Sequence, residues 1–499
     1  MRKDELRINM FWAIITTALG GILTLLVRKM FVTSLPSEYL GIGKVYTSFF
    51  NFLTLFDMSV TTTIAYRFYK AFASTKEKKT YIYNLGNYVF SRISLIMLTI
   101  GLMITPLLFF FLKETSVSSH IIIISYIFQL LSECIPYYFY SYHLVLQADG
   151  KEYVSMIIKS SVNFISNLLK VWIIINYPDF ILYSLSGLIL VIIEKIVFYI
   201  YVKRKYPDIA ISNKLSKDEI KNENIYKESI QLIPVKVAGI INSSSITVLT
   251  TKLIGLTPIS LFSNYEFLTQ SFDSFFDRIR NFIRAFIGNN VHGDNENKLE
   301  LFTKLTDVAF LLSTTVFSAC LLLLSPIIKI SIGEKFLIDD TSLLIFSLSQ
   351  LFIYSDFFIQ TYRDVFSNYE DDNKIILFSA IANVVISFCL YKRLGFAGIL
   401  FGQLVAQIIK SIGRTKVILN NLEITSRNKY WYKKLICITI SIVEVLLIKR
   451  CIPEMEGFSE IIVKIFTCIL LVIFNLIFIF MKNFLKNVKI FKTMTKKKN

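Results

Sequence analysis

Long apolar stretches recur along almost the whole chain, and this pattern limits the fold more than any other feature. Residues 8–27 and 461–481 each supply roughly 20 mostly apolar residues, enough for a helix to cross about 30 Å of hydrocarbon. Inside a bilayer only a helix pairs all of its own backbone groups, so each stretch is predicted to be a membrane-spanning helix. Hydrophobic residues make up 54% of the 499 residues, and the mean hydropathy is +0.57. A soluble domain could not bury that much apolar surface.

About fourteen such segments are expected, which predicts an all-α integral membrane protein. They lie near 8–31, 41–65, 84–112, 120–146, 153–176, 180–202, 230–252, 258–284, 305–329, 341–364, 374–392, 396–418, 433–450 and 459–481. The longest polar connection separates two sets of six spans. We therefore expect an N-terminal lobe at 1–204, a linker at 205–228, a C-terminal lobe at 229–420, and two further spans with a basic tail at 421–499.

Basic residues in the connections predict the orientation. Lys and Arg cluster in alternate connections, near 2–7, 67–79, 203–227, 414–434 and 482–498, and are roughly a third as frequent in the others. Basic connections stay on the cytoplasmic side, so both termini are expected in the cytoplasm, with the chain in a bacterial plasma membrane. The first apolar stretch lacks a small-residue cleavage site and is expected to be a span, not a signal peptide. Topology accounts for the net charge of +18, so no nucleic-acid partner is expected.

Sequence motifs for catalysis or cofactor binding are absent. The sequence holds no GxxxxGK[ST] phosphate loop, no HExxH pattern and no CxxC pair, and most of its six cysteines lie inside apolar stretches. We therefore expect no enzyme activity, no metal site and no cofactor. ATP is not expected to be the direct energy source.

The eighth predicted span, 258–284, carries the densest set of ionisable residues, which are costly in lipid. At about 100° per residue, one side of this helix presents Glu266, Gln270, Asp273, Asp277, Arg280 and Arg284. Asp277 is expected to pair with Arg280 at i+3. Arg284 and the off-stripe Arg278 are then expected to be free to meet an anion. The stripe predicts the lining of an aqueous cavity, while the alternative is a long helix whose arginines anchor to headgroups.

Other spans carry fewer ionisable residues, which are Asp57, Glu133, Lys159, Lys170, Glu194, Lys195, Lys236 and Asp356. Pro136 is expected to kink the fourth span and to free a backbone carbonyl near Glu133. Together these residues predict a polar path, and we take Asp57 and Glu133 as candidate cavity residues. Singly, each could instead pair between helices.

Several short motifs also follow one another along the chain. They are Asn9, Arg28–Phe31, Glu38–Gly41, Leu55–Ser59, Tyr66–Lys70, Lys252–Gly255, Ser263–Tyr265 and Gly395–Gly402. In this order they resemble the Wzx-like polysaccharide flippases of the multidrug/oligosaccharidyl-lipid/polysaccharide (MOP) exporter superfamily. The chain departs from that pattern at Met58-Ser59, where a Leu-Gly step is usual. It departs again at Ser243–Ser245, where the seventh span often carries an acidic residue.

The resemblance implies a MATE/MOP-like fold in which two six-helix lobes, related as parallel repeats, expose a cationic cavity alternately to each side. It implies a polyprenyl-pyrophosphate-linked oligosaccharide of the undecaprenyl type as the substrate. This substrate would be flipped to the outer leaflet for capsule or O-antigen-like biosynthesis, driven by an ion gradient or the membrane potential. A glycan polymerase is the implied protein partner.

Other functions stay open at this point. Within the superfamily they are a cation-coupled multidrug exporter and a peptidoglycan lipid-precursor flippase. Arg7 and Arg28 flank the first span and do not occupy its middle, which argues against the precursor flippase. Outside the superfamily they are a membrane-embedded glycan polymerase or ligase and a non-transporting scaffold. The outer connections hold only about a dozen residues, which disfavours a catalytic outer loop.

Overall fold

A computed structural model describes residues 23–57, 60–72, 74–112, 115–207, 233–292, 298–366, 369–422, 427–452 and 457–496. All regular structure within these residues is helical. Eight of the described helices are long and apolar enough to cross a membrane, or nine if one bent pair counts as a span. The predicted all-α membrane fold is thereby confirmed.

The chain divides into two compact units, unit 1 (1–263) and unit 2 (264–499). Unit 1 contains α1 (23–34), α2 (Glu38–Leu53), α3 (Val60–Phe72), α4 (Lys76–Met103), α5 (Thr105–Phe111), α6 (Ser119–Tyr138), α7 (Tyr140–Ala148), α8 (Glu152–Asn176), α9 (Phe180–Lys205) and α10 (Ile233–Leu253). A 3-10 turn, Thr54–Asp57, lies between α2 and α3.

Helix α11 (Leu256–His292) begins in unit 1 and belongs to unit 2 from Asn264 onward. Unit 2 continues with α12 (Lys298–Ser331), α13 (Asp340–Ser355), α14 (Phe357–Phe366), α15 (Tyr369–Leu394), α16 (Phe396–Asn421), α17 (Arg427–Cys451) and α18 (Phe458–Lys496). A 3-10 turn, Glu334–Phe336, lies between α12 and α13.

Every predicted span from the second onward falls on one of these helices or on two helices separated by a short break. Breaks divide four spans into the pairs α2/α3, α4/α5, α6/α7 and α13/α14. The pair α13/α14 bends by 45° at Asp356. Helices α2, α3, α5 and α7 are each too short to cross a bilayer alone. Most of the first predicted span lies outside the described residues, so the count of fourteen stays a prediction.

A break in the helix follows Pro136, where the sequence predicts a kink. It lies inside α6, which ends at Tyr138, and α7 begins at Tyr140. Proline has no N–H, so the carbonyl of Ser132, four residues earlier, loses its helical hydrogen bond. This break is therefore built into the local sequence.

Buried tyrosines hold the helices of unit 1 together. The Tyr46 hydroxyl donates to the carbonyl oxygen of Ile122 at 2.7 Å, which ties α2 to α6. The Tyr126 hydroxyl donates to the carbonyl oxygen of Gly101 at 2.9 Å, which ties α6 to α4. A Cβ at Gly101 would lie 2.5 Å from the Leu130 side chain, so a larger residue there would require Leu130 to shift.

In unit 2 a glycine pair brings α15 and α16 into close contact. Gly398 and Gly402 are four residues apart on α16, the small-xxx-small spacing of closely packed membrane helices. A Cβ at Gly402 would lie 2.6 Å from the backbone oxygen of Asn383, and one at Gly398 would lie 2.7 Å from that of Leu390. The backbones are therefore in contact along this pair.

The predicted linker, 205–228, lies almost entirely outside the described residues. Helix α10, which follows it, packs against α2 within unit 1. The division into lobes at 205–228 stays a prediction.

Candidate functional site

The predicted stripe on α11 separates into two neighbouring faces. The inner face packs toward the aromatic core of unit 2 and presents Asp273, Phe276, Arg280, Ile283 and Ile287. The outer face is exposed and presents Gln270, Ser274, Asp277 and Arg284. The two faces lie about 100° apart around the helix, so the inner side chains contact the protein core while the outer side chains are exposed.

On the inner face, protein groups hold both ionisable side chains. The Tyr354 hydroxyl donates to the Asp273 carboxylate at 2.5 Å. The Arg280 guanidinium lies 3.0 Å from the Asp277 carboxylate and 4.6 Å from the centre of the Phe357 ring. The predicted Asp277–Arg280 pair is confirmed. The Arg280 Nε atom is buried and has no hydrogen-bond partner among the described residues.

Arg284 has a partner that the sequence did not reveal. Its Nη2 atom lies 2.7 Å from the carboxylate of Asp364 on α14, so the expectation that Arg284 is free is wrong. The cause is tertiary, because Asp364 lies 80 residues further along the chain. The Arg284 side chain is nevertheless 46% exposed. The side chain of Arg278 lies outside the described part of the structure.

Asp364 is shared between two arginines. The Nε atom of Arg363 donates to its other oxygen at 3.0 Å. Arg363 also contacts the buried Asp372 at 2.9 Å, and Arg414 of α16 contacts the same Asp372 at 2.6 Å. A chain of alternating charges therefore connects α11, α14, α15 and α16.

Two lysines at the start of α17 neutralise further acids of unit 2, the buried Asp307 and the partly buried Asp356. Lys433 contacts Asp307 of α12. Lys434 contacts Asp356, at the bend between α13 and α14, at 2.6 Å. The Lys434 ammonium also donates to the hydroxyl of Ser411 at 2.7 Å. These contacts dock α17 onto the bend.

In unit 1, Asp57 is buried at the break between α2 and α3. Its carboxylate accepts a hydrogen bond from the backbone N–H of Thr61 at 3.1 Å and contacts Lys236 of α10 at 3.1 Å. The structure therefore joins two residues that the sequence placed in different spans. Glu133 is exposed on α6, next to Ser132.

Unit 1 also contains a cavity of about 600 Å³ between α6, α8 and α9. One stripe of α8 lines it with Lys159, Asn163, Ser166 and Lys170. The facing stripe of α9 includes Tyr183 and Glu194, and α6 adds Gln129 and Ser132. Glu133 does not line this cavity. The spacing of the α8 residues (i, i+4, i+7, i+11) is a sequence signal that could have found the cavity.

Comparison with known proteins places this geometry in context. No protein-family model matches the sequence, and no curated protein matches it either. The solved structure of the lipid II flippase MurJ in an inward closed conformation matches with a TM-score of 0.67 at 14% identity, covering 95% of this chain and 99% of that one. An inward-facing multidrug resistance MATE family transporter of the MOP superfamily matches with a TM-score of 0.61 at 13% identity, covering 83% and 100%.

A third similar structure is a MOP superfamily transporter from Pyrococcus furiosus, with a TM-score of 0.51 at 12% identity, covering 84% of this chain and 94% of that one. The chain has the MATE/MurJ-like fold of the MOP superfamily. The expected MOP-like fold is thereby confirmed. These three similar structures are named as one flippase and two transporters.

Within this MOP fold, the structure brings together some of the predicted site residues. Asp273, Asp277 and Arg280 share one contact region with Tyr354 and Phe357 on the neighbouring helices. Gln270 lies on the adjoining outer face together with Arg284, whereas Asp57 and Glu133 belong to unit 1. The role of each of these residues in binding a substrate stays a prediction.

Proposed function

We propose that the chain is a MOP-type flippase that moves a polyprenyl-pyrophosphate-linked oligosaccharide from the cytoplasmic to the outer leaflet of a bacterial plasma membrane. The observation that carries this proposal is the exposed polar face of α11, formed by Gln270, Ser274, Asp277 and Arg284 in a strongly apolar chain. Lipid would not tolerate such a face, so it supports an aqueous path along the helix. The likeness to a protein named as a lipid II flippase supports a lipid-linked substrate.

The chemistry of this face suits both parts of that substrate. Amide, hydroxyl and carboxylate groups bind sugar hydroxyls, and an arginine grips phosphate oxygens with two parallel donors. Arg284 is the best placed for the phosphate because it is half exposed. When it leaves Asp364 for a phosphate, Arg363 still neutralises that carboxylate. Arg280 is held between Asp277 and Phe357, so we expect it to position Asp277 on this face and not to leave its partners for a phosphate.

A cation-coupled multidrug exporter is the second candidate, favoured by the likeness to MATE transporters. Such a transporter needs a carboxylate that is free to bind a proton or a cation. In the described residues, the buried aspartates are Asp57, Asp307 and Asp372, and each contacts a lysine or an arginine. Their charges are already neutralised. The partly buried Asp273 accepts a hydrogen bond from the Tyr354 hydroxyl and forms no ion pair among the described residues, so it is the carboxylate on which this second candidate depends.

The energy source follows from the same chemistry. The sequence has no phosphate loop for ATP, so an ion gradient or the membrane potential is the proposed driving force. Moving one charge through 100 mV releases about 2.3 kcal/mol, which can bias an anionic substrate. A glycan polymerase in the outer leaflet is the proposed consumer of the product.

The test is the flipping rate of a purified Arg284→Ala variant in proteoliposomes that contain a fluorescent polyprenyl-diphosphate oligosaccharide. Losing one charge-assisted phosphate contact costs about 1.5–3 kcal/mol, so flipping is expected to slow by about 10- to 150-fold. Arg284→Lys should recover part of the rate, because the charge survives while the two-donor geometry is lost.

The matched control is Lys304→Ala, which removes an exposed ion pair with Glu300 in the same unit. Flipping by this control should stay within about two-fold of wild type. Normal flipping by Arg284→Ala at normal expression would show that α11 does not contact the phosphate. Transport of a cationic drug with no flipping would favour the exporter.

A further inference from the structure

The cavity of unit 1 presents a row of polar groups inside membrane-spanning helices. Lys159, Asn163, Ser166 and Lys170 follow one line along α8 and all border the cavity. The opposite side of α8 is exposed and apolar, with Phe164, Leu168 and Trp172 among its residues. One side of this helix therefore suits lipid, and the other encloses a space that lipid chains would not fill favourably.

The two lysines of this row form no direct ion pair within the part of the chain that the structure describes. Among the described residues, neither Lys159 nor Lys170 has a carboxylate within 4 Å. Glu194 also borders the cavity, but its carboxylate contacts Lys195 at 2.7 Å. Lys170 lies 5.1 Å from the centre of the Tyr183 ring. An ammonium without a counter-charge in a span is costly, so these lysines call for an anion.

The size and the neutral groups of the cavity narrow the class of anion. Its volume of about 600 Å³ is that of a site for a small organic ligand. Gln129, Ser132, Asn163 and Ser166 add amide and hydroxyl groups that bind other hydroxyls. Lys159 and Lys170 lie eleven residues apart, or about 16 Å along the helix. That distance is longer than a phosphate or a diphosphate, so the two flexible lysine side chains reach one headgroup from opposite ends of the row, and the neutral groups between them suit its hydroxyls.

We propose that the cavity between α6, α8 and α9 binds the phosphate-bearing, hydroxyl-rich headgroup of an amphiphile, with Lys159 and Lys170 as the phosphate contacts. Two sources share this chemistry, a polyprenyl-diphosphate sugar and an anionic glycerophospholipid. If the ligand is the sugar-bearing lipid, its role as the transported substrate rests on the proposed flippase function. The charge and the lining of the cavity are independent of that function.

Binding is tested with the full chain in phosphatidylcholine nanodiscs. The two probes are farnesyl-diphosphate N-acetylglucosamine and phosphatidylglycerol, and occupancy is read by native mass spectrometry. Lys159→Gln and Lys170→Gln are each expected to weaken binding by about 10-fold or more, and Lys→Arg should retain most of it. Lys203→Gln removes a charge at the exposed end of α9, outside the cavity, and should bind as wild type.

The comparison of probes separates the two sources. Preference for the diphosphate sugar identifies the cargo, and preference for phosphatidylglycerol identifies a lipid site. Equal binding of both probes by wild type and by the double variant Lys159→Gln/Lys170→Gln would overturn the proposal.

A second measurement needs no ligand. Asn163→Cys is introduced after the exposed Cys389 and Cys451 are replaced by serine. Anionic and cationic methanethiosulfonate reagents are then compared, each relative to its rate with a small free thiol. The anionic reagent is expected to react several-fold faster, and the double lysine variant should abolish the difference. Equal rates in the parent, or no reaction in a folded protein, would mean that the cavity is not an open cationic site.

These results are separable from the fate of the proposed function. If the protein does not flip a lipid-linked oligosaccharide but binding still depends on the lysines, the binding site is supported and the flippase function is rejected. If flipping depends on Arg284 but the lysine variants bind both probes normally, the flippase function is supported and the binding site is rejected.

Discussion

Helix α8 of unit 1 carries two lysines on one polar face, and helix α11 of unit 2 carries Arg280 and Arg284 on two neighbouring faces. In α11, Arg280 contacts Asp277 and Arg284 contacts Asp364. In α8, Lys159 and Lys170 have no such carboxylate in the described part of the chain. A count of charges along a span therefore does not reveal their role, because the partner on another helix decides it. A paired charge contributes to stability and must leave its partner before it can bind a ligand, as Arg284 would leave Asp364, whereas an unpaired charge is available for binding directly.

The strongest way to break this comparison is to separate a buried pair in unit 2. Lys434 is only 4% exposed and contacts Asp356 at 2.6 Å. Replacing Asp356 with Asn leaves a buried ammonium without its counter-charge, which typically costs about 3–5 kcal/mol. We expect Asp356→Asn to lower the free energy of unfolding by that order, measured by titration with a denaturing detergent.

The double variant Asp356→Asn/Lys434→Met should recover part of this loss, because it leaves no unpaired charge. The control is Lys449→Met, which breaks an exposed contact with Asp340 and should change stability by less than about 1 kcal/mol. Equal stability of Asp356→Asn and wild type would mean that the buried pair contributes nothing, and the contrast between the units would lose its basis.

The comparison is sharpened by one matched change in each helix. Lys170→Leu in α8 removes an unpaired charge and is expected to keep the free energy of unfolding or raise it by up to about 1 kcal/mol. Arg280→Leu in α11 removes the contacts with Asp277 and Phe357 and is expected to lower it by about 1–2 kcal/mol. Both are measured by the same detergent titration. A loss from Lys170→Leu as large as that from Arg280→Leu would show that Lys170 has a structural partner.

Much of the fold could be predicted because lipid leaves the chain so little choice. A long apolar stretch in a bilayer must become a helix, and Pro136 marks the break between α6 and α7 in the sequence itself. The bend at Asp356 could not be predicted, since it lies in a continuous apolar stretch without proline or glycine. Tertiary packing, with Lys434 against Asp356, accompanies this bend.

The candidate site shows the same division between local and distant causes. Asp277 and Arg280 are three residues apart on one helix, so helix geometry alone predicts their contact. Arg284 and Asp364 are 80 residues apart, and Lys236 and Asp57 are 179 apart. Such partners depend on how helices pack, which periodicity does not encode. The α8 row was visible in the sequence, but its lack of partners was not.

The smallest expected effect concerns an ion pair of unit 1. It lies just before the start of α8, outside the predicted spans. Lys151 and Tyr206 both donate to the carboxylate of Asp149 and tie the start of α8 to the end of α9. Burial raises the pKa of Asp149, but these hydrogen bonds outweigh it, so the pKa lies below its ordinary value. A depressed carboxyl pKa contributes stability above the unfolded pKa of about 3.9, and this contribution is lost as the pH falls through the folded pKa.

Because the pair is about a third exposed, we expect this contribution to be below about 1 kcal/mol. It should appear as the difference between wild type and Asp149→Asn in the free energy of unfolding, present at pH 6 and shrinking below pH 4. Lys151→Met should remove most of the same difference, because Lys151 supplies one of the two hydrogen bonds. A difference that grows as the pH falls would have the wrong sign, and it would show that Asp149 is not held as a carboxylate by these partners. Paired charges would then stabilise unit 2 but not unit 1. The different roles proposed for the basic residues of α8 and α11 could then no longer be explained by whether each residue has a partner.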